Sequence, residues 1–103
     1  MSEDDKLRVD VWLWRARFVK TRSDAARLVT EGGVRLSRAG SSRALDKPST
    51  AVGPGDVLAF PLRGTLKLVR IDGLGVRRGP PAEARALYAE IEAEPKPDIG
   101  GLA

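Results

Sequence analysis

The sequence contains no cysteine and no histidine, and these two absences exclude most catalytic and metal-binding chemistry. Without cysteine there is no disulfide, no thiolate zinc site and no thiol nucleophile. Without histidine the chain lacks the commonest general base and the commonest metal ligand. The serines lie beside no candidate base. We therefore predict a protein that is not an enzyme and that uses no metal and no cofactor.

Long apolar runs and a secretory leader are also missing. No apolar run approaches the roughly 18 residues that a membrane span needs. The first residues, Glu3, Asp4 and Asp5 among them, are acidic where a signal peptide would be basic and then apolar. With 103 residues, of which 42% are hydrophobic and 31% charged, we expect one small globular domain in the cytoplasm, with no membrane contact.

Positive charge is what the sequence has in excess, and it is segregated along the chain. Residues 8–47 contain ten basic and four acidic residues, and residues 51–79 contain five and two. The ends are acidic, with one base against three acids in residues 1–7 and two against five in residues 80–103. A basic body favours an anionic partner such as nucleic acid, although a solvated basic surface explains the charge equally well.

Hydrophobic spacing predicts two short helices near the beginning of the chain. Apolar residues recur at helical spacing on two sides of residues 7–18, so the arginines of this helix emerge through narrow polar seams. Thr21 and Asp24 have the spacing of a helix N-terminal cap, and Gly32-Gly33 is a helix stop. These signals predict a second helix over residues 22–31.

The rest of the chain predicts a small sheet and one more helix. Strands are expected at residues 34–36, 57–62 and 65–71, the last two as a hairpin. Residues 37–55 predict a long basic loop with room for a short strand. Apolar spacing from Ala84 to Ile91, with Pro81 near its first turn, predicts a final helix.

The strongest functional signal is a group of basic residues concentrated in the first two helices. These residues are Arg8, Arg15, Arg17, Lys20, Arg22 and Arg27. An arginine binds phosphate bidentately, and the helix start at Thr21 and Ser23 adds hydroxyl and amide donors. Arg35 follows on the outward face of the next strand.

Local acids offer some of these cations a competing partner. Arg27 can pair with Asp24 or Glu31. Arg17 can pair with Asp10 or Asp24. No obvious acidic partner exists for the remaining four, which are Arg8, Arg15, Lys20 and Arg22. Trp12 and Trp14 could stack on bases, but in a domain with so few aromatics we predict that both lie in the core.

In their order, these residues resemble the S4 domain, an RNA-binding motif. The resemblance is carried by Arg8-Val9-Asp10-Val11-Trp12-Leu13-Trp14, Ala16-Arg17-Phe18, Lys20-Thr21-Arg22-Ser23 and Glu31-Gly32-Gly33-Val34-Arg35. A second block, Arg77-Arg78-Gly79-Pro80 and then Glu83-Ala84-Arg85-Ala86-Leu87-Tyr88, resembles one branch, the bacterial heat shock protein 15 family. The resemblance covers about residues 7–92.

This resemblance implies an α+β fold of S4 type, in which two short helices pack on a small, mainly antiparallel curved sheet. With the C-terminal helix predicted above, we expect a domain over residues 7–93 between mobile segments at 1–6 and 94–103. The resemblance also implies binding of structured ribosomal RNA on the large ribosomal subunit, and rescue of stalled subunits that carry peptidyl-tRNA. The family's binding positions map onto Arg8, Arg17, Lys20, Thr21, Arg22, Ser23 and Arg35, to which the charge pattern adds Arg15 and Arg27.

The chain departs from the family pattern in three places. Val11 and Gly33 stand where many members carry a basic residue. Residues 37–40 replace an Asn-Gly turn. The acidic final segment stands where some members have a long basic extension. Because Asn and Gln are absent, we expect recognition of RNA shape rather than of base sequence.

Two other functions remain open. The domain could target a separate RNA-modifying enzyme, such as a pseudouridine synthase, to RNA or could bind tRNA. It could instead be a protein-interaction module that uses its acidic residues 80–103. Nothing in the sequence demands more than a monomer.

Overall fold

The structure, a computed structural model, describes residues 6–91, in which helices pack on an antiparallel sheet. The elements, in chain order, are β1 (Leu7–Arg8), α1 (Val9–Arg15), α2 (Arg22–Thr30), β2 (Arg35–Arg38), β3 (Ser41–Ala44), β4 (Ala51–Val52), β5 (Val57–Leu62), β6 (Thr65–Ile71), α3 (Pro81–Arg85) and β7 (Tyr88–Glu90). Five strands form one sheet in the order β3-β2-β5-β6-β7, and β1 pairs with β4. The predicted α+β fold class is confirmed.

The central hairpin has the predicted bounds. Its register runs from Val57 opposite Arg70 to Leu62 opposite Thr65. The predicted loop over residues 37–55 contains more structure than expected. It includes β3, which pairs with β2 along its whole length, and β4, which pairs with β1. Its many small and turn-forming residues conceal these strands because pairing partners, rather than local propensity, decide them.

The predicted first helix is too long at both ends. Leu7 and Arg8 are extended and pair with Val52 and Ala51, and the helix begins at Val9 and ends at Arg15. Residue 17 then adopts a left-handed conformation, with φ of 66°, which stops the helix before Phe18. The apolar spacing continues past this point because Phe18 is still packed against the core.

The predicted final helix is also shorter than the periodicity indicates. α3 has five residues, and residues 88–90 form a strand in which Tyr88 lies opposite Ile71 and Glu90 opposite Val69. Ile91 N–H continues this edge by donating to the Leu68 carbonyl at 2.8 Å. Residues 88–91 therefore pair with the backbone groups at the edge of β6. A helix over the same residues would leave those groups of β6 without partners.

The core lies between the two first helices and the sheet. Its largest fully buried side chains are Trp12, Phe60, Leu13, Leu45, Leu58 and Ile71. The Trp12 ring packs against Phe18 and Tyr88, and Phe18 packs edge-on against Phe60 at 5.0 Å. This aromatic cluster fixes the end of α1 against the sheet.

The predicted terminal segments, residues 1–6 and 94–103, lie outside the described residues apart from Lys6. Over residues 6–91, no helix has the length and apolar character that a bilayer crossing requires. The same part of the chain holds no group of three or more acidic, histidine or cysteine side chains arranged to bind a metal ion.

Candidate nucleic-acid interface

Six of the nine predicted binding residues lie where α1 ends and α2 begins, and Arg8, Arg27 and Arg35 lie elsewhere along the chain. Arg17 N–H donates to the Trp14 carbonyl and Phe18 N–H to the Leu13 carbonyl, both at 3.0 Å. This pattern closes a helix with a left-handed residue, a place that glycine usually occupies. Arg17 adopts it with a side chain that serves another contact, since its Nε donates to the Gly79 carbonyl at 2.6 Å. That hydrogen bond offsets part of the backbone strain.

The N-terminus of α2 is formed as the sequence predicts. Thr21 is the N-cap residue, and its Oγ1 accepts a hydrogen bond from Asp24 N–H at 3.0 Å. Lys20, Arg22 and Ser23 are exposed around this turn, and their side chains make no hydrogen bond to any other described residue. The positive end of the helix dipole and these side chains together form a surface that favours anions.

Trp14 is not a core residue, so the prediction that both tryptophans are buried is right only for Trp12. The Trp14 ring is half-buried, and the Cζ atoms of Arg22 and Arg78 each lie 5.9 Å from its centroid. A guanidinium at this distance from an indole is attracted by the ring's quadrupole. Trp14 is second-last in α1 and follows the run of buried residues that ends at Leu13.

Arg8 has an acidic partner that the sequence analysis missed. Its Nε donates to Asp10 Oδ1 at 3.1 Å and its Nη2 to Asp10 Oδ2 at 2.9 Å. The Asp10 side chain is only 5% exposed, so Arg8 neutralises a buried carboxylate. This hydrogen bonding raises the pKa of Arg8 above its ordinary value. The predicted polar seams of the first helix are wrong because Arg8 lies before the helix and reaches Asp10 from extended backbone.

Arg15 and Arg17, at the end of α1 and just after it, donate hydrogen bonds to backbone carbonyls in residues 73–79. Arg15 Nη1 donates to the Gly75 carbonyl at 2.7 Å, and Arg17 donates to Gly79 as described. Trp12 Nε1 donates to the Gly73 carbonyl at 2.9 Å. The partner of Arg17 is therefore a backbone carbonyl, and neither of the acids that the sequence offers it, Asp10 or Asp24. Each arginine uses only part of its donor set in these hydrogen bonds, and Arg15 Nε is buried without a partner among the described residues.

The remaining predicted residues have simple surroundings. Arg27 pairs with Asp24 at 3.4 Å, one of the two partners predicted for it, and its side chain is 62% exposed. Arg35 is exposed and alternates with the buried Leu36, so it points outward from β2 as predicted. No acidic partner of Arg35 occurs in residues 6–91.

Sequence reasoning missed Arg78 as a member of this surface. Arg78 Nε donates to the Trp14 carbonyl at 3.1 Å and its Nη2 to the Val19 carbonyl at 3.3 Å. The neighbouring Arg77 instead forms a bidentate pair with Glu83, with hydrogen bonds of 3.0 and 2.9 Å that lower the pKa of the Glu83 carboxyl. The Arg77-Arg78-Gly79-Pro80 run was the available signal, but the sequence does not reveal which α1 atoms it contacts.

Comparisons with known proteins agree with this architecture. Residues 7–37 match the S4 domain model. The chain is 36% identical over 93 residues to the Heat shock protein 15 homolog of Haemophilus influenzae, covering 90% of this chain and 67% of the relative. It is 33% identical over 85 residues to Heat shock protein 15 of Escherichia coli (strain K12), covering 82% of this chain and 60% of the relative.

A solved structure is also similar. It is described as the trimeric structure of Vibrio cholerae Heat Shock Protein 15, and it matches with a TM-score of 0.72 and 34% sequence identity. The match covers 84% of this chain and 82% of that one. The trimer is partly at odds with the monomer that the sequence analysis expects here.

The helix pair and the S4 match define this protein as one with an S4-type RNA-binding domain. The extent and identity of the matches then show that the chain belongs to the heat shock protein 15 family. It spans about 60–67% of the length of the Haemophilus influenzae and Escherichia coli relatives.

Proposed function

We propose that this protein binds structured ribosomal RNA of the large ribosomal subunit through the surface around the α1–α2 junction. The observation that carries this proposal is that three exposed cations have no acidic partner among the described residues, namely Lys20 and Arg22 at the junction and Arg35 on β2. Lys20 and Arg22 flank the capped start of α2, where backbone amides add donors for the same phosphate groups.

The choice of a structured RNA rests on the kind of contact this surface can make. Its cations and hydroxyls suit phosphate and ribose oxygens, and the sequence has no Asn or Gln to read base edges. The choice of the large subunit, and of subunits that carry peptidyl-tRNA, rests on membership of the heat shock protein 15 family. Arg8 is a weaker candidate than its neighbours because Asp10 already neutralises it.

A charge-matched pair of triple variants tests the binding surface. Replacing Lys20, Arg22 and Arg35 with Ala should raise the Kd for large-subunit ribosomal RNA by about tenfold or more, since a hydrogen bond to a charged group contributes about 1.5–3 kcal/mol. The three side chains are exposed, so the free energy of unfolding should change by no more than about 0.5 kcal/mol per site.

The control removes the same formal charge elsewhere. Lys67, Arg70 and Arg77 pair with Glu90, Asp72 and Glu83, respectively. Their triple Ala variant should keep the affinity within about twofold to threefold, a factor that corresponds to roughly 0.5 kcal/mol. If both triple variants lost the same affinity, the loss would follow from the change in net charge alone. That result would contradict the proposed site.

Sedimentation of the protein in cell lysate tests the partner. Co-migration with large subunits, and more of it with subunits that carry nascent chains, is the expected result. Co-migration with a soluble RNA-modifying enzyme would instead favour the targeting function. Sedimentation of the purified protein gives its oligomeric state and decides between the expected monomer and a trimer like that of the Vibrio cholerae relative.

A further inference from the structure

We propose that Arg78 and Arg22 bind one RNA phosphate beside the Trp14 ring, so that the RNA surface extends beyond the S4 match to residues 73–79. This inference rests on the proposed function and adds a binding group to it. We call Trp14, Arg22 and Arg78 the Trp14 cluster.

Two guanidinium groups lie against the same indole without a neutralising acid in the described part of the chain. Both Cζ atoms lie 5.9 Å from the centroid of one indole, so they are no farther apart than twice that distance. Within residues 6–91, six basic side chains form ion pairs with carboxylates, and neither Arg22 nor Arg78 is among them. A phosphate bound between these two guanidinium groups would be attracted by both of them.

Arg78 is held in place before any ligand arrives. Its Nε and one Nη2 hydrogen are directed at the Trp14 and Val19 carbonyls, at 3.1 and 3.3 Å, which leaves the Nη1 hydrogens and one Nη2 hydrogen for a ligand. A guanidinium fixed in this way loses little conformational freedom on binding. Arg22 is exposed on the first turn of α2, so it supplies the adaptable half of the cluster.

The neighbouring Arg77 shows that an arginine in this part of the chain is not available to a phosphate merely because of its position. Arg77 is exposed, but Glu83 neutralises its charge by accepting hydrogen bonds from Nε and Nη2. Replacing Arg77 with Ala therefore removes the same formal charge one residue away while leaving the cluster intact. This makes Arg77→Ala the matched control for Arg78→Ala.

The test measures the Kd for large-subunit ribosomal RNA and its salt dependence. Arg78→Ala should raise the Kd by about fivefold to tenfold and make the slope of log K against log salt shallower, by no more than about one phosphate because Arg22 still contacts it. Arg77→Ala should change neither quantity appreciably. Because Arg22 and Arg78 share one phosphate, the loss in the double variant should be smaller than the product of the two single losses.

A second pair of variants separates the charge of Arg78 from its role in the fold. Arg78→Gln keeps one amide group at the position of Nε but carries no charge, and Arg78→Lys keeps the charge. We expect Lys to retain most of the affinity and Gln to lose as much as Ala. Equal affinity in the Lys and Gln variants would overturn the inference, as would an Arg78→Ala variant that is folded and binds like Arg77→Ala.

The result also distinguishes this inference from the proposed function. If Arg78→Ala binds normally while the Lys20, Arg22 and Arg35 variant is impaired, the Trp14 cluster is wrong and the RNA-binding surface stands. If the unaltered protein does not bind the RNA, the proposed function itself fails.

Discussion

Two buried carboxylates, Asp10 and Asp56, each bind one arginine, and this decides which cations remain available. Asp56 accepts hydrogen bonds from Arg38 at 2.9 and 2.8 Å and from Gly53 N–H at 2.9 Å. Neither pair was visible in the sequence. In a helix, ion pairs form between residues three or four positions apart. Arg8 instead pairs with a residue two positions away, and Arg38 pairs with one that is 18 positions away. Lys20 and Arg22 flank the N-cap of α2, where this helix spacing applies, and both are unpaired within the described residues, as the sequence predicts.

The Asp56 pair predicts an acid-sensitive stability. Burial acts to raise the pKa of Asp56, but the hydrogen bonds from Arg38 and Gly53 and the charge of Arg38 outweigh it, so the pKa lies below its ordinary value. A lowered pKa stabilises the fold above the unfolded-state pKa of about 3.9, and this contribution is lost as the pH falls through the folded-state value.

Asp56→Asn should therefore reduce the free energy of unfolding by about 1–2 kcal/mol at neutral pH, a value discounted because Arg38 is partly exposed. The difference from the unaltered protein should shrink below about pH 4, where Asp56 of the unfolded chain becomes protonated. Urea unfolding at several pH values measures this difference in the free energy of unfolding. A difference that is constant from pH 7 to pH 3 would contradict the assignment.

At the scale of elements, the sequence predicts those helices and strands whose bounds depend only on neighbouring residues. The β5–β6 hairpin follows from alternation and a two-residue turn at Arg63-Gly64, and the start of α2 follows from its cap. The end of α1 could not be predicted, because it depends on a left-handed Arg17 whose side chain is held by Gly79. Residues 88–90 likewise have a spacing compatible with a helix, and only the free edge of β6 makes them a strand.

The cap of α2 gives a prediction at this scale. Thr21→Ala removes the hydroxyl that accepts from Asp24 N–H and should lower the free energy of unfolding by about 1 kcal/mol. Thr21→Ser keeps the acceptor and should retain most of that stability. Thermal or urea unfolding of the two variants measures the difference, and identical values would show that the cap does not stabilise α2.

Over the whole molecule, the family and fold class could be predicted, but the composition of the basic surface only in part. Lys20, Arg22 and Arg35 are exposed as expected, Arg8 is neutralised by Asp10, and Arg78 joins from a distant part of the chain. The distant member could not be predicted because its contacts are with the Trp14 and Val19 carbonyls, which sequence patterns do not report.

The salt dependence of RNA binding tests the surface as a whole. With about four to six phosphate contacts from Lys20, Arg22, Arg35, Arg78 and the free donors of Arg15 and Arg17, log K should fall against log salt with a slope of about −3 to −5. Measurement of Kd between about 50 and 200 mM salt gives the slope. A slope near zero would identify the basic surface as solvated charge with no role in binding.

The hydrogen bonds between residues 12–19 and residues 73–79 span 59 to 64 positions of the chain, and this separation has a consequence for synthesis. A protein is made from its N-terminus, so the S4 residues 7–37 emerge long before Gly73 and Arg78 exist. The turn after Trp14 cannot take its final shape until β5 and β6 have been made and the long loop has closed. A translation product that stops before residue 79 would therefore contain the whole recognisable motif and still lack the finished surface.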